Sequence, residues 1–428
     1  MRDLFTLVIP TYNRPECLGR LLRYLEAGGV EFRIRVLDSS RGPERRENQR
    51  IAKASSLNYE YVEFDEKTHP FDKFRAGVAG VTTPFCCLCA DDDILLPDGL
   101  IASVRFLEAN PDYAVAHGYY FQFMVDHSEL RLTTITYYTP SYDEADPIAR
   151  VHALMRHYQA LTYGVYRTDV LQRIFAAVIP VTSLLARELL SSALATVEGR
   201  VARLPLLYHG RNLGPSSGHV NWHPLEWLIR DPKGLFGEYA SYRALLAGAI
   251  QCRPDETRSK EEIERLLDLI HMQYLIRHAP DETFDFIVRE SLDGKDAEAI
   301  FSTHAVGVAL WQAAEEYAPL GKLMRRPPNS PGRLPAIAYS AWPVRLVHAV
   351  DRISPRIGFQ LRQTGKRIFN LKTSALDNDV ITTEPRSIRS AVRNYQLAPA
   401  FISPPARFGV SIGESDIARL IATLDAYQ

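Results

Sequence analysis

Three short polar segments, each directly after a short apolar run, hold residue types that bind charged ligands. They are 10–14 (PTYNR), 38–40 (DSS) and 91–93 (DDD). In an open parallel sheet, ligands bind outside the carboxyl ends of the strands, so we expect these segments to converge on one edge. The sequence therefore predicts a single polar site assembled from distant parts of the chain.

The triad Asp91–Asp93 carries the most specific chemistry of the three segments. Crowded carboxylates resist ionising together, whereas Mg²⁺ and Mn²⁺ prefer carboxylate, phosphate and water oxygens. A cation held there would also bind a diphosphate and neutralise the charge that builds on a departing nucleoside diphosphate. The alternative is a solvated loop or a cap for the helix expected near Pro97, and the buried run 84–90 before the triad argues against it.

Alternating strand and helix patterns in the first half of the chain must position these segments. Short β-branched or apolar runs predict strands, and apolar residues at helical spacing predict helices. The strands are expected at 5–9, 32–37, 59–64, 84–90 and 113–118, and the helices at 15–27, 46–55, 71–81, 100–108 and 168–176. This order predicts an α/β fold with a mostly parallel, Rossmann-like sheet flanked by helices.

Beyond about residue 215 the patterns become helical. Helices are expected at 238–250, 258–278 and 296–317, and the Pro-rich run 327–335 marks a boundary. We therefore expect an α/β domain over 1–215, a mainly helical region over 216–326 and a basic, Pro-containing region over 327–428.

The basic stretch from Lys322 to Arg367 holds ten Lys or Arg residues against one acidic residue, Asp351. Three interpretations stay open for it. It rests on an anionic membrane surface, forms a solvated face, or contacts a second copy of the chain, giving a homo-oligomer through the helical half.

Composition limits the partners and the compartment. The formal net charge of −1 gives no reason to expect a nucleic-acid partner. Five cysteines do not form a disulfide framework, and Cys86 and Cys89 are expected to pack in the core. Without an export signal or a long apolar run, the expected location is the cytoplasm, or the inner face of the cell membrane.

Three motifs together resemble the N-terminal signatures of family 2 glycosyltransferases with the GT-A fold. They are VIPTYNRP (8–15), VLDSS (36–40) and ADDDILLPDGL (90–100), and the resemblance covers roughly residues 4–212. A further segment, DKFRAG…VTTPF, is similar to a bacterial subgroup with an extended C-terminal region. The resemblance implies transfer from a nucleotide-sugar donor, with a UDP-sugar expected and a GDP-sugar as the alternative. It also implies Mn²⁺ or Mg²⁺ and a hydroxyl acceptor on a glycan, a lipid-linked saccharide or a protein.

The resemblance also assigns roles to individual residues. Those that match the nucleotide-binding positions are Pro10, Thr11, Tyr12, Arg14, Asp38 and Asp91. Asp38 falls where the family contacts the base, Asp92 is the expected metal ligand, and Asp93 is a further candidate. Lys73 matches a donor-facing helix and would neutralise diphosphate as a point charge, with a plain surface lysine as the alternative.

The family's general base, which takes the proton of the attacking hydroxyl, matches Glu188. Glu188 stands eleven residues before Gly199, but the usual Glu-Asp pair reads Arg187-Glu188 here. A surface glutamate paired with Arg187 is the alternative. The Gly/Ser-rich segment 207–223 is expected to close over the diphosphate, with His209 or Arg211 contacting phosphate or metal.

Two other functions stay open on the sequence. A sugar-nucleotide nucleotidyltransferase shares a related sheet, but its first loop is usually Gly-rich, whereas this chain has PTYNR. A catalytically dead scaffold is the non-enzymatic alternative, and the intact aspartates argue against it. Inversion at the sugar is implied by the family alone.

Overall fold

The computed structural model describes residues 1–126, 129–136, 141–156, 158–212, 224, 227–228, 231–277, 297–316 and 381–382. The chain divides into two compact units. The first contains Met1–Pro180, Arg187–Gly214 and the strand at Ile381–Thr382, and the second contains Val181–Ala186 and the described helices that follow Pro215. The helix Leu184–Glu198, most of which belongs to the first unit, is described with it.

The first unit alternates strands and helices, as expected. Its strands are β1 (Phe5–Thr11), β2 (Arg33–Asp38), β3 (Tyr59–Glu63), β4 (Phe85–Leu88), β5 (Ile94–Leu95), β6 (Tyr113–Asp126), β7 (Glu129–Thr136), β8 (Val165–Arg167), β9 (Arg200–Asn212) and β10 (Ile381–Thr382). Its helices are α1 (Pro15–Ala27), α2 (Gly42–Ala54), α3 (Pro70–Ala79), α4 (Pro97–Ala109), α5 (Pro147–Arg156), α6 (Thr168–Ala177) and α7 (Leu184–Glu198).

The strands form one sheet in the order β10-β7-β6-β8-β4-β1-β2-β3, and β9 pairs with both β5 and β6. The section β4-β1-β2-β3 is parallel. Beyond β4 the sheet is mixed, because β8 runs antiparallel to both β4 and β6 while β9 runs parallel to β6. The expected sheet flanked by helices is confirmed, and its parallel section carries all three polar segments at or just beyond its strand ends.

Continuous apolar strands explain why the parallel section lies at the centre of the fold. β1 reads FTLVIPT, and Phe5, Leu7 and Ile9 belong to the main core cluster with no exposed surface. Both faces of such a strand are covered, as in a parallel sheet with helices on each side. The pairing register sets Thr11 beside Asp38 and Asp38 beside Glu63, so three strands end at one level.

Several boundaries differ from the expectation at the starts of helices. α2 begins at Gly42 rather than Arg46, and α4 begins at Pro97 rather than Leu100. Both helices carry a proline in the first turn, where the missing N–H is not needed for a helical hydrogen bond. β6 continues to Asp126 rather than ending at Gly118, since it pairs with β7 and β9 along its length.

The described part of the second unit is helical. Its helices are α8 (Pro232–Gln251), α9 (Lys260–Arg277), α10 (Ala297–Phe301) and α11 (Ala305–Glu316). The single helix expected over 296–317 is therefore wrong: the chain breaks after Phe301, where Thr303 N bonds to Ile300 O. A small core that includes Phe236, Met272 and Trp311 holds these helices together.

The C-terminal basic stretch 322–367 and nearly all of the region 327–428 lie outside the described residues. The membrane, solvent and oligomer interpretations of that stretch therefore stay predictions. In the part of the chain that the structure describes, no helix is both long enough and apolar enough to cross a bilayer.

Candidate active site

The turns after β1 and β2 are joined to each other by backbone and side-chain hydrogen bonds. Ser39 N donates to Thr11 O (3.3 Å). Asn13 has a φ of 54°, which asparagine tolerates better than most residues. Its N–H donates to Ser40 Oγ (2.7 Å), and its Oδ1 accepts from Arg41 N (2.8 Å). These bonds confirm that the first two polar segments meet.

Lys73 reaches from α3 into the same junction. Its ammonium donates to Thr11 O (3.0 Å) and to Ser39 Oγ (2.9 Å), and the residue is only 5% exposed. The surface-lysine alternative is therefore wrong. Burial lowers the pKa of Lys73 to about 8, against the opposing effect of the carboxylates of Asp91 and Asp38. A positive charge thus lies just inside the strand ends, with two of its three donors used by the protein.

Asp38 is enclosed at the end of β2. Its Oδ1 accepts from Ser40 N (2.6 Å), and its Oδ2 accepts from Asn48 Nδ2 (3.2 Å) and from the Tyr61 hydroxyl. Burial and the hydrogen bond to Asp38 raise the pKa of Tyr61. In this arrangement Asp38 shapes the turn, and a direct contact with a base would need one of these donors to move.

Asp91 and Asp92 share one cation, the guanidinium of Arg14. Asp91 is fully buried, and its Oδ2 accepts from Thr11 Oγ1 at 2.6 Å. Arg14 places Nη2 2.6 Å from Asp91 Oδ1 and donates from Nη1 to Asp92 Oδ2, also at 2.6 Å. Burial raises the pKa of Asp91 to about 7, although Arg14 opposes that rise. Burial acts to lower the pKa of Arg14, but the two carboxylates outweigh it and the net shift is upward.

Asp93 faces the other way, toward β9. Its Oδ2 lies 3.0 Å from His209 Nε2, and its Oδ1 accepts from Asn212 N at 2.9 Å. The cause is the antiparallel pairing of β5 with β9, which sets Leu95 opposite His209. The triad is thus divided into a pair, Asp91 and Asp92, and a separate carboxylate.

The loop expected over 207–223 is wrong for its first part. Residues 207–212 belong to β9, and 213–223 lie outside the described residues. His209 is buried, with its ring 4.7 Å from that of Tyr163 and 4.8 Å from that of Tyr120. Arg211 is exposed on β9 opposite Gln122. His209 therefore reaches the triad through Asp93, while Arg211 is the exposed cation of the strand.

The chemistry of the acidic pair fits a hard divalent cation whose coordination shell is completed by phosphate oxygens. Among the described residues, no group of three or more His, Cys, Asp or Glu side chains is arranged to hold a metal. Mg²⁺ is usually bound by one or two carboxylates together with substrate phosphates, so two aspartates suffice. Asp91 Oδ1 is buried and has no partner with hydrogen-bond geometry, although Arg14 lies beside it. A positive group already stands where a cation would lie.

Glu188 lies one turn into α7 and is partly buried. Its Oε1 accepts from the Tyr158 hydroxyl at 3.3 Å. Burial raises the pKa of Glu188, while Arg211 and Tyr158 lower it. No sequence motif points to Tyr158, which lies in the connection between α5 and β8.

Arg187 points to a different part of the unit. Its Nη1 lies 2.8 Å from His69 Nδ1, and its Nη2 donates to Ile179 O (2.9 Å). The same His69 nitrogen accepts from Phe71 N and caps α3. The departure from the usual Glu-Asp pair therefore places a structural arginine beside the candidate base.

Tyr163 connects the acidic run with Glu188. Burial raises the pKa of its hydroxyl well above the usual value, and the charges of Asp93, Arg211, Glu188 and Asp92 all act on it. The charges of Asp92, Asp93 and Glu188 thus all act on the Tyr163 hydroxyl.

Pro10 and Tyr12 complete the set at the end of β1. Pro10 pairs with Leu37 within the sheet. Tyr12 is 40% exposed, one of two large hydrophobic side chains among the described residues with this much open surface. An open aromatic ring beside the cross-linked turns is suited to stack on a planar ligand.

Residues 6–190 match the model of the family described as Glycosyl transferase family 2. This part of the chain is a family 2 glycosyltransferase domain. The enzyme is thus a glycosyltransferase, and the expected GT-A type of fold is the one its sheet and helices display. The match favours sugar transfer over the nucleotidyltransferase alternative. No curated protein matches the glycosyltransferase.

Solved structures similar to the glycosyltransferase include S. aureus TarS and a mannosyltransferase from Pyrobaculum calidifontis. TarS 1-349 is 14% identical with a TM-score of 0.48, covering 75% of this chain and 86% of TarS 1-349. TarS 1-349 in complex with UDP is 16% identical with a TM-score of 0.45, over 75% and 86% of the two chains. The mannosyltransferase PcManGT, in complex with GDP-Man and Mn²⁺, is 15% identical with a TM-score of 0.39, over 87% and 89%.

Replacing Lys73 by Met should change how stability depends on pH. The folded-state pKa of Lys73 is lowered to about 8 from 10.5, so between these values the unfolded chain binds more protons at this residue. Its contribution to the free energy of unfolding therefore rises with pH in that window, by up to about 1.4 kcal/mol per pH unit. Urea denaturation from pH 8 to pH 10 should show this rise in the wild type relative to Lys73→Met.

The matched control is Lys53→Met, which removes an exposed lysine near the end of α2. It should leave the pH dependence of the wild type unchanged. Parallel curves for the wild type and Lys73→Met over this range would contradict the buried, low-pKa assignment of Lys73.

Proposed function

We propose that the enzyme transfers a sugar from a nucleotide-sugar, with inversion, to a hydroxyl of a glycan, a lipid-linked saccharide or a protein. The observation that carries the proposal is the network of Thr11, Asp91, Arg14 and Asp92 at the ends of β1 and β4. The charges of Glu188, Asp92 and Asp93 all act on the pKa of the Tyr163 hydroxyl, which supports a shared site. Donor-binding charges and a candidate base are thus available to one substrate.

The nucleoside half of the donor is proposed to lie over the cross-linked turns after β1 and β2. Tyr12 offers its exposed ring to the base, and Asp38 keeps the turn in shape through Ser40 and Tyr61. Asp38 contacts the base directly only if Tyr61 or Asn48 releases it. UDP is the nucleotide we expect, with GDP as the alternative.

The diphosphate is proposed to lie above the acidic pair. Asp92, supported by Asp91 and with Asp93 as the further candidate, would hold Mn²⁺ or Mg²⁺, which neutralises charge on the leaving nucleoside diphosphate. Lys73 contributes a buried positive charge from below the strand ends, and exposed Arg211 contributes one from β9. These cations favour the more negative, departing state of the donor.

Glu188 is proposed as the general base. Its partly buried carboxylate has a raised pKa, which makes it a stronger proton acceptor than an exposed glutamate. The acceptor oxygen would bond to the anomeric carbon as the bond from that carbon to the diphosphate oxygen breaks. Glu188 would take the hydroxyl proton, and Tyr158 would hold the receiving carboxylate in place.

A donor panel tests the proposed reaction. Incubation with UDP- and GDP-sugars should release the nucleoside diphosphate slowly from one of them, and Mn²⁺ should accelerate that release. Asp92→Ala should abolish the metal-dependent part, because the proposed ligand is lost. Release at equal rates with Mn²⁺ and with a chelator would contradict the metal requirement, and no release or binding of any donor would contradict the nucleotide-sugar assignment.

Replacing Glu188 by Gln should separate donor binding from transfer. The amide cannot accept the hydroxyl proton, so turnover should fall by roughly 10²–10⁴-fold, while donor affinity measured by calorimetry stays within about twofold. Glu198→Gln, at the far end of α7 in an ion pair with Arg173, is the matched control and should keep its turnover. Unchanged turnover in Glu188→Gln would remove Glu188 as the base.

Removing the Tyr158 hydroxyl should move the pH profile of the reaction. Its hydrogen bond lowers the pKa of Glu188, so Tyr158→Phe should raise that pKa. A base acts above its pKa, and the acidic limb of kcat/KM should therefore shift to higher pH. Tyr59→Phe on β3 serves as the control, and an acidic limb that stays in place would show that Tyr158 does not act on the base.

A further inference from the structure

The backbone of Arg14 is held by the helix that follows it, whereas its side chain contacts Asp91 and Asp92 rather than the helix. Arg14 precedes α1, and its carbonyl accepts from Leu18 N at 3.1 Å. Its side chain makes no capping hydrogen bond to the helix and keeps 29% of its surface exposed. The guanidinium can therefore change partners by side-chain rotation, without a change in the fold.

The two carboxylates that it holds are far less exposed. The side chain of Asp91 has no exposed surface, and that of Asp92 has 9%. Adjacent carboxylates in such surroundings need a compensating charge to stay ionised together. Lys73 directs its ammonium to Thr11 O and Ser39 Oγ, whereas Arg14 contacts both carboxylates directly.

A divalent cation at this pair would compete with Arg14 for the same oxygens. Arg14 contacts Asp91 Oδ1 and Asp92 Oδ2, each at 2.6 Å. An oxygen at that distance from a guanidinium nitrogen cannot at once coordinate a metal from the same side. Cation entry thus requires Arg14 to leave, and the displaced guanidinium then needs an anion of its own.

The diphosphate of the donor supplies such an anion. Guanidinium groups bind phosphate oxygens through paired, charge-assisted hydrogen bonds, in the geometry they use for carboxylates. Exchange of Arg14 from carboxylate to phosphate keeps every charge compensated. Cation entry without phosphate would leave Arg14 unpaired beside a dication.

We propose that Arg14 is an exchangeable counter-ion, which holds Asp91 and Asp92 until a diphosphate arrives and so makes cation binding depend on the nucleotide. The inference rests on the proposed function, because it assumes a cation at the acidic pair. By linkage, nucleotide and cation must then strengthen each other's binding by the same factor. Arg14 would thereby keep the site from holding a metal before the donor is present.

Mn²⁺ titration of the full chain, followed by electron paramagnetic resonance of the free ion, tests the proposal. The titrations use wild type, Arg14→Met and Arg14→Lys, each with and without saturating UDP and corrected for Mn²⁺ bound by UDP itself. In the wild type, UDP should tighten Mn²⁺ binding by about tenfold or more. In Arg14→Met, Mn²⁺ should bind about tenfold more tightly than in wild type without UDP, and the gain from UDP should shrink.

Controls separate this role from a structural one. Arg23→Met, an exposed arginine on α1, should titrate as the wild type does. Arg14→Lys keeps a charge but loses the two-point contact, so its Mn²⁺ affinity without UDP should fall between those of wild type and Arg14→Met. It also provides a test if Arg14→Met fails to fold.

Two results would overturn the proposal, and they differ in whether the proposed function fails with it. In the first, Mn²⁺ binds to the wild type in the presence of UDP, but in the absence of UDP neither Arg14→Met nor Arg14→Lys binds Mn²⁺ more tightly than the wild type does. Arg14 is then not the competing counter-ion, and the proposed function stands. If no variant binds Mn²⁺ even with UDP, the metal requirement of the proposed function fails together with the inference.

Discussion

The carboxylate of Asp91 lies wholly inside the protein, between the Thr11 hydroxyl and the Arg14 guanidinium, each 2.6 Å away. This contact joins the ends of β1 and β4, which are neighbours in the sheet but 80 residues apart in the chain. A buried carboxylate is costly unless it is paired and hydrogen-bonded. The parallel pairing of β1 with β4 therefore brings the start of the acidic run to the end of β1.

The rest of the site is arranged around that fixed point. Lys73 adds a buried positive charge beneath the turns, and β9 draws Asp93 away from the pair through His209 and Asn212. On α7, Glu188 accepts a hydrogen bond from Tyr158, while Arg187 contacts His69 at the cap of α3. The family 2 glycosyltransferase domain thus separates its charged groups by element, with the acidic pair at the strand ends and Glu188 on a helix.

The features that could be predicted from the sequence are those set by residues close together in the chain. Strand runs closed by polar residues correctly placed the Thr11, Asp38 and Asp91 segments at one edge, because parallel strands end together. The division of the triad could not be predicted, since it depends on β5 meeting β9 more than 100 residues later in the chain. The interior position of Lys73 and the contact from Tyr158 to Glu188 likewise depend on packing between distant elements, for which no local pattern exists.

The left-handed backbone of Asn13 has a consequence for selectivity. Its hydrogen bonds to Ser40 and Arg41 join the turns after β1 and β2, so the backbone next to Tyr12 is already ordered in the folded protein. The entropy of ordering those turns is then lost during folding rather than during association. A ligand that needed a different geometry of these turns would have to break the hydrogen bonds of Asn13, whereas one that fitted the existing geometry would bind without that cost.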